Sequence, residues 1–389
     1  MNPDLIIVGG GPAGLAFALS LAGVGLRITL IETHPDEELA NPPFDGRDIA
    51  LTHGSKRILS GLGIWERLPH DQVFAIRDAR VLDGHSPYAL EFRHQEAGVD
   101  ALGFLVSNHI IRRALYEAVS VTEDVTLQTN QTVSSVYPEQ GSVTVTMCSG
   151  ESLKASLLVA ADSRFSSVRR RVGIAARNRD FGRAALVCRM SHQQDNSGIA
   201  SECFQYGQTV AVLPLTNQSS SIVITVPTDR AQALSEMTAN DFSEWISAKL
   251  DSRLGSMDLI SERFVYPLIA VLADRFDGPR TALIGDAAVG MHPVTAHGYN
   301  LGLSGQQLLA QAVLTARHQG QDIGTPKLLQ QYSQRHRRVV LPMYLGTNTL
   351  VDLYTTENLP TKILRKALLH AANHLPLIRR VVTDRLVSH

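Results

Sequence analysis

Apolar residues in this chain fall into short blocks of two different periods, and glycine and proline separate the blocks. Residues 4–8 (DLIIV) form a β-rich run without polar alternation, the pattern of a strand buried on both faces of a parallel sheet. Residues 15–24 then carry helix-forming Leu and Ala with Gly25 as a stop, and residues 27–31 form a second apolar run that ends on Glu32. Strands are predicted at 125–128, 132–137, 142–147 and 153–160, broken by Pro138, Gly141 and Gly150. Residues 184–190, 202–206, 209–215 and 220–226 alternate polar and apolar positions, which predicts an antiparallel sheet with one exposed face. Helical patterns occupy 108–119, 240–250, 301–317, 327–340, 345–354 and 361–372, and a last segment follows Pro376.

Composition narrows the class. A chain of 389 residues, 44% hydrophobic and 19% charged, can build one large core or two coupled domains. Its formal net charge of −1 creates no global field for nucleic acid or an anionic membrane. Cys148, Cys188 and Cys203 are widely separated, which argues against a disulfide framework or zinc site and fits a reducing cytoplasm. Residues 5–26 carry no charge and are long enough to imitate a membrane span. Their clustered glycines, Pro12, and the lack of a basic segment before them instead predict a strand, a tight turn and a buried helix.

That turn holds the first chemistry. In Gly9-x-Gly11-x-x-Gly14, Gly9 permits the turn, Gly11 lets the backbone approach a pyrophosphate, and Gly14 lets the helix lie close on the strand. Pro12 and Ala13 open a helix whose free N–H groups favour phosphate. Glu32, at the end of the second strand, is placed to accept from ribose hydroxyls and disfavours a 2′-phosphate. This unit alone leaves FAD and NAD open. Far downstream, a strand candidate at 281–284 runs into Gly285-Asp286-Ala287-Ala288, followed by His292-Pro293 and Gly298-Tyr299-Asn300-Leu301-Gly302. Asp286 can accept from a cofactor hydroxyl, and a helix beginning near Gly298 aims its N–H groups at another part of the same molecule.

The pairing of Gly9-x-Gly11-x-x-Gly14 with GDAAxxxHPxxxxGxNLGL resembles the single-component (class A) FAD-dependent aromatic monooxygenases, above all their ubiquinone-biosynthesis hydroxylase branch. The resemblance implies that Gly9, Gly11, Gly14 and Glu32 hold the ADP half of FAD. It implies that Arg47, in the 46–51 segment, and Arg112 contact the cofactor, and that Asp286 binds its ribityl or pyrophosphate region. Pro293 would sit beside the isoalloxazine, with the N–H groups of Gly298, Asn300 and Leu301 at its pyrimidine end. Two departures stand out. The family's Asp-Gly pair is here Asp162-Ser163, a substitution the loop tolerates if φ stays negative. His297 replaces the glutamine usual in the ubiquinone branch.

Taken together, these readings predict an α/β fold. A discontinuous Rossmann-like FAD-binding domain (1–75 with 100–180 and 270–340) joins an antiparallel-sheet substrate domain (76–99 with 181–269) and a C-terminal helical region (341–389). The expected activity is hydroxylation of a phenolic ring with O2, with FAD as cofactor and NADH or NADPH as transient reductant. The flavin itself transfers oxygen, so no side-chain nucleophile is required. His292, Pro293 and His297 are the residues expected at the reacting edge, the histidines also reading as packed structural groups. Phe204, Tyr206, Val212, Leu213 and Pro214 read as cavity wall or sheet core, and Arg169 to Arg171 as a solvated face. The resemblance implies an aromatic, polyprenylated substrate. Basic residues among apolar ones over 362–385 permit peripheral contact with the inner membrane face, docking on a biosynthetic-complex partner, or a plain solvated helix. The alternatives are another flavoenzyme (a halogenase, which would need paired tryptophans that isolated Trp65 and Trp245 do not supply, or an isoprenoid reductase) and a non-catalytic FAD-binding subunit.

Overall fold

The first apolar run becomes strand Leu5–Val8, buried along its whole length, and the computed structural model builds outward from it. It describes residues 2–84, 89–205 and 207–355. Sheet order is Asp277–Gly278, Thr281–Leu283, Leu157–Ala160, Leu5–Val8, Ile28–Ile31, Val125–Gln128. Every neighbouring pair is parallel except the first, a short antiparallel hairpin. Chain order reverses across Leu5–Val8, since one neighbour follows it directly and the other comes only at residue 157. That reversal opens a crevice at the carboxyl ends of the two strands, where ligands of such sheets bind. Helices Pro12–Ser20 and Asn108–Ser120 pack together against this sheet, and Gly298–His318 lies beside the first of them.

A second, nine-stranded sheet is organised around the long strand Ala176–His192, which pairs with Ser219–Pro227, Phe264–Ala273 and Met257–Leu259. Alternate residues of its strands (Leu186, Cys188, Met190, Val210, Val212, Ile222, Ile224) pack against helices Thr228–Glu236 and Ala239–Lys249 through Leu234, Phe242 and Ile246. These helices cover one face, and a small antiparallel sheet of Asp48–Leu51, Gly103–Ser107 and Val73–Ile76 packs on the other, so the exposed face expected from the alternation is covered in part. One pairing, Ile199–Gln205 with Asp78–Asp83, is parallel. The latter strand enters from a distant excursion of the chain, so no hairpin turn dictates its direction.

Several elements differ in extent from the pattern-based reading. Residues 153–160 split into Ser152–Ala155 and Leu157–Ala160, which belong to different sheets, and Ser156 between them donates its N–H to the Asp4 carbonyl (3.0 Å). The two helices read at 327–340 and 345–354 form one helix, Pro326–Thr355, with Pro342 inside it, since the proline removes a single hydrogen bond from a helix long enough to continue. This helix passes through residue 341, and strands Ala176–His192 and Phe264–Ala273 pass through 180/181 and 269/270. The long strand changes register between Asp180 and Ala184, so its bend falls within the strand. The expected segments at 361–372 and after Pro376 lie outside the described residues. No helix among the described residues is long and apolar enough to cross a membrane.

Two helical glycines separate packing from propensity. A Cβ on Gly305 would lie 2.4 Å from Nε2 of His336, a side chain only 2% exposed and hemmed in by Phe276 and Tyr332. A Cβ on Gly346 would meet nothing within 4 Å. Gly305→Ala is expected to destabilise by about 1–3 kcal/mol through overpacking, and Gly346→Ala to stabilise by about 0.5–1 kcal/mol. Urea unfolding of the two variants beside the parent checks both signs.

Candidate active site

The turn after Leu5–Val8 shows why three glycines stand there. Gly9 has φ +112°, and a Cβ on it would lie 2.3 Å from the Ala161 carbonyl oxygen. On Gly14, a Cβ would lie 2.0 Å from the Gly9 carbonyl oxygen. Gly11 is different: its backbone is extended (φ −74°), and a Cβ would meet nothing within 4 Å. Its missing side chain leaves room. Helix Pro12–Ser20 starts at that room with no side-chain cap, and Pro12 occupies its first turn. The remaining first-turn N–H groups are therefore available to an anion.

The downstream signature closes on the same place. Gly285 has φ +56°, and a Cβ on it would come within 2.9 Å of the Ala13 Cβ. A Cβ on Gly302 would stand 3.6 Å from the Gly285 Cα. Ser20 donates its hydroxyl to Gln306 Oε1 (3.0 Å), tying helix Pro12–Ser20 to helix Gly298–His318. That second helix also begins without a side-chain cap, at His297, and a Cβ on Gly298 would meet nothing within 4 Å. Asn300 is 4% exposed and uses both ends of its amide. Its Oδ1 accepts from the Thr52 N–H (3.0 Å) and the Ser55 hydroxyl (2.6 Å); its Nδ2 donates to the Ala50 and Ala296 carbonyls (2.9 and 2.8 Å). Thus the Asn300 side chain fixes segment 50–55 to the helix start, while the backbone of Gly298, Asn300 and Leu301 lines that start.

The charged residues divide between structure and site. Glu32 is 8% exposed; its Oε2 accepts from the Gly10 N–H (2.5 Å) and its Oε1 from the His34 N–H (3.0 Å) and ring (2.7 Å). Burial alone would raise this carboxyl, but the His34 and Gly10 N–H groups and the His34 ring outweigh it and hold Glu32 below the usual carboxylate range. Asp286 pairs through Oδ2 with Arg164 (2.9 and 3.1 Å), which also donates to the Ile269 carbonyl (3.0 Å). Both oxygens of Asp162 are engaged by the Ser166 hydroxyl and the N–H groups of Ser167 and Val168, so its side chain caps helix Ser167–Arg171. Arg47 pairs with Asp45 (2.6 Å) and lies over the Tyr266 ring (5.4 Å). Its carbonyl accepts from the Asn108 N–H (2.9 Å) at the start of the helix that carries Arg112. Arg112 is half-buried, with no hydrogen-bond or ion-pair partner among the described residues.

Two expectations are corrected, for Ser163 and Arg169, and His292 takes the structural one of its two readings. Ser163 has φ +90°, not a negative value, because the loop needs the left-handed region whatever residue fills it. Arg169 is not solvated: it is 4% exposed and donates to the carbonyls of Ala287 (2.8 Å) and Arg164 (3.0 Å), bracing the loop after Ala161 against the downstream signature. His292 is 3% exposed, and its Nδ1 accepts from the Val294 N–H (3.2 Å), capping the short turn Pro293–Thr295. Burial, aided by Arg183 and Arg179, pushes His292 down to about 4, so it is a neutral cap at physiological pH. Pro293 itself is exposed, and His297 is half-buried at the helix start. Arg164 and the Arg189–Asp48 pair (2.6 Å) escaped the motif reading. The arginine one residue after Ser163 and the aspartate inside the 46–51 segment were the only signals.

Two helix starts without side-chain caps flank one crevice at the strand-order reversal, the arrangement of a dinucleotide-binding protein. The family profile described as "FAD binding domain" matches residues 3–344, and the chain belongs to that family, the FAD-dependent monooxygenases, and binds FAD. Within it, the chain stands in the ubiquinone-hydroxylase branch. It is 46% identical over 392 residues to the ubiquinone hydroxylase UbiM of Neisseria meningitidis, an alignment covering 100% of this chain and 85% of that one. It is 32% identical to the ubiquinone hydroxylase UbiL of Rhodospirillum rubrum, covering 97% and 88%. The crystal structure of p-nitrophenol 4-monooxygenase PnpA from Pseudomonas putida shares the fold, with TM-score 0.79 at 18% identity over 99% of this chain and 97% of that one.

A serine held at φ +90° carries strain that glycine does not. Ser163→Gly is expected to raise stability by about 1 kcal/mol, read as a higher midpoint of thermal unfolding, whereas Ser163→Ala gives no such gain.

Proposed function

We propose that this protein hydroxylates the aromatic ring of a polyprenylated phenol or quinol on the way to ubiquinone, using O2 and NADH or NADPH. The observation that supports the reading is the junction of Gly285 with Ala13, which brings the two distant signatures together, as one shared cofactor cleft would need. Whole-length similarity to the ubiquinone hydroxylases supports the substrate class. When bound, FAD supplies two-electron chemistry and activation of dioxygen.

The residues present suit FAD at several points. The open room at Gly11 and the free N–H groups behind Pro12 and Ala13 would take the pyrophosphate. Glu32, already ionised and oriented, would accept from the adenosine ribose with its remaining lone pairs. Arg112, which has no partner among the described residues, would neutralise phosphate, and Asp286 with Arg164 would meet the hydroxyl-rich middle of the cofactor. The uncapped start of helix Gly298–His318 would face the flavin's pyrimidine edge, where its partial positive charge favours an anionic reduced ring. Neutral His292 would hold Pro293 in place without supplying a proton. Asp162 would act through the helix start it holds. NADH or NADPH would deliver two electrons and leave, and one oxygen atom would enter the ring while the other leaves as water. Entry of a long apolar tail suits peripheral contact with the membrane's inner face.

Two measurements follow. Arg112→Ala is expected to weaken FAD binding about 10-fold or more, since a charge-assisted hydrogen bond is worth roughly 1.5–3 kcal/mol. Quenching of flavin fluorescence reads it, and an unchanged affinity removes Arg112 from the cofactor set. Incubation of the holoprotein with 18O-labelled dioxygen, NADH or NADPH and a prenylated phenol should place one labelled oxygen in the ring product. Cofactor oxidation that leaves the ring unlabelled rejects hydroxylation.

A further inference from the structure

One face of the nine-stranded sheet is covered by its two helices, and the residues between those core positions point the other way. On that other face, Val187 and Phe264 stand against Gly46, where a Cβ would come within 2.9 and 2.6 Å of them. Arg189 pairs with Asp48 (2.6 Å), and the Tyr266 hydroxyl donates to the Asp45 carbonyl (2.6 Å). Strand Gln208–Pro214 packs on Val73–Ile76 of the small sheet. This face is therefore the wall opposite the 46–52 segment, which Asn300 ties to the helix start.

The strand register gives one row across that wall: Phe264, Val187, Val223, Ala211, Glu202, Val81, Leu90. Six positions are apolar and one is a carboxylic acid. Glu202 lies three strands from Val187, about 14 Å at roughly 4.8 Å per strand. Its hydrogen bond comes from the Thr209 side chain, and it has no ion-pair partner among the described residues. Among the described residues, the charged groups nearby do not compensate it. Asp83, beside Phe204 at the end of the adjoining strand, has the same sign. Arg80 is bonded to the Ser201 hydroxyl (2.7 Å) at positions facing the other side, and Arg77 lies at the strand start against Gly198. Glu202 is half-buried, and the desolvation it does undergo pushes its carboxyl up to about 7. A carboxyl left unpaired in apolar surroundings costs stability, and such groups cluster at functional sites.

We propose that Glu202 is the general base that accepts the hydroxyl proton of the aromatic substrate, an assignment that rests on the ring-hydroxylation reading. The phenolic O–H breaks, its proton passes to a Glu202 oxygen, and the electron pair stays on the ring oxygen, enriching the ring carbons ortho and para to it. After oxygen enters at one of those carbons, the carbon loses its hydrogen as a proton to solvent. The protonated carboxyl returns its own proton to the ring oxygen, which restores both aromatic product and base. An apolar row around the acid also suits a ring whose substituents are hydrocarbon.

The test uses FAD-loaded parent, Glu202→Gln and Glu202→Asp proteins with 2-geranylphenol, NADH or NADPH and O2. Hydroxylated product and FAD content are followed from pH 5 to 9. The parent should gain kcat/KM as pH rises through about 7. Glu202→Gln should keep its FAD, lose that limb and fall by about 100-fold or more; Glu202→Asp should recover part of the limb. If the parent hydroxylates the ring and Glu202→Gln matches its rate and pH profile, the base assignment is wrong. If the parent forms no ring product, the hydroxylation reading fails first, and the assignment with it. Thermal unfolding gives an independent check. A folded-state value raised above the unfolded one means that stability is intact below the unfolded value and lost as pH climbs through about 7. Glu202→Gln should therefore melt higher than the parent at pH 8 and equally at pH 4. Identical curves at both pH values show that the carboxyl is not held unpaired, and overturn the assignment.

Discussion

Three stretches of backbone separated by more than a hundred residues approach one another at the carboxyl end of strand Leu5–Val8. They do so because Gly9, Gly14 and Gly285 have no side chains to keep them apart: added Cβ atoms would lie between 2.0 and 2.9 Å from Ala161, Gly9 and Ala13. Overlap of that size cannot be relieved by rotating a side chain, since the opposing atoms are backbone or Cβ. The close approach sets where helix Pro12–Ser20 begins and how helix Gly298–His318 lies beside it. It also determines that the N–H groups of two separate helix starts border one crevice. Elsewhere the fold supports that junction.

Polar groups around the junction are fixed before any ligand arrives. Asn300 binds segment 50–55 through both halves of its amide, Arg169 braces the loops after Ala161 and Ile284, and His292 caps the turn at Pro293 in its neutral form. Glu32 is kept ionised by backbone donors in spite of its burial. Such preorganisation reduces what cofactor binding must spend on ordering the site. It also separates roles that motif reading merges: Asp162, Asn300 and His292 position backbone, whereas Gly11 and Gly298 leave open space and Arg112 has no partner among the described residues.

Much of this was legible in the chain. The parallel-sheet core, the glycine turn and the return of the chain to its first domain all follow from short apolar runs punctuated by glycine; those runs survive as strands with shifts of one or two residues at their ends, except that 153–160 divides between two sheets. What escaped the sequence depends on tertiary contact. Nothing local says that Ser163 must adopt positive φ, because the demand comes from the path of the loop between Asp162 and its own helix. Arg169 sits in a basic run that reads as solvated, yet the carbonyls of Ala287 and Arg164 draw it in, while Arg170 and Arg171 stay exposed. Pro342 looks like a helix end, but the helix around it is long enough to outlast one missing hydrogen bond. Glu202 sits in an alternating strand like any other polar position, and only the register across four strands reveals that its row is otherwise apolar.

The claim that both signatures build one FAD cleft is tested most directly at Gly11, where a new side chain enters only open space. FAD titration of Gly11→Leu, beside far-UV circular dichroism and the melting temperature of the cofactor-free protein, separates folding from binding. One cleft running past Gly11 predicts unchanged folding with FAD affinity lower by at least about 100-fold, or roughly 2.7 kcal/mol. Undiminished FAD binding by a normally folded Gly11→Leu protein would contradict it.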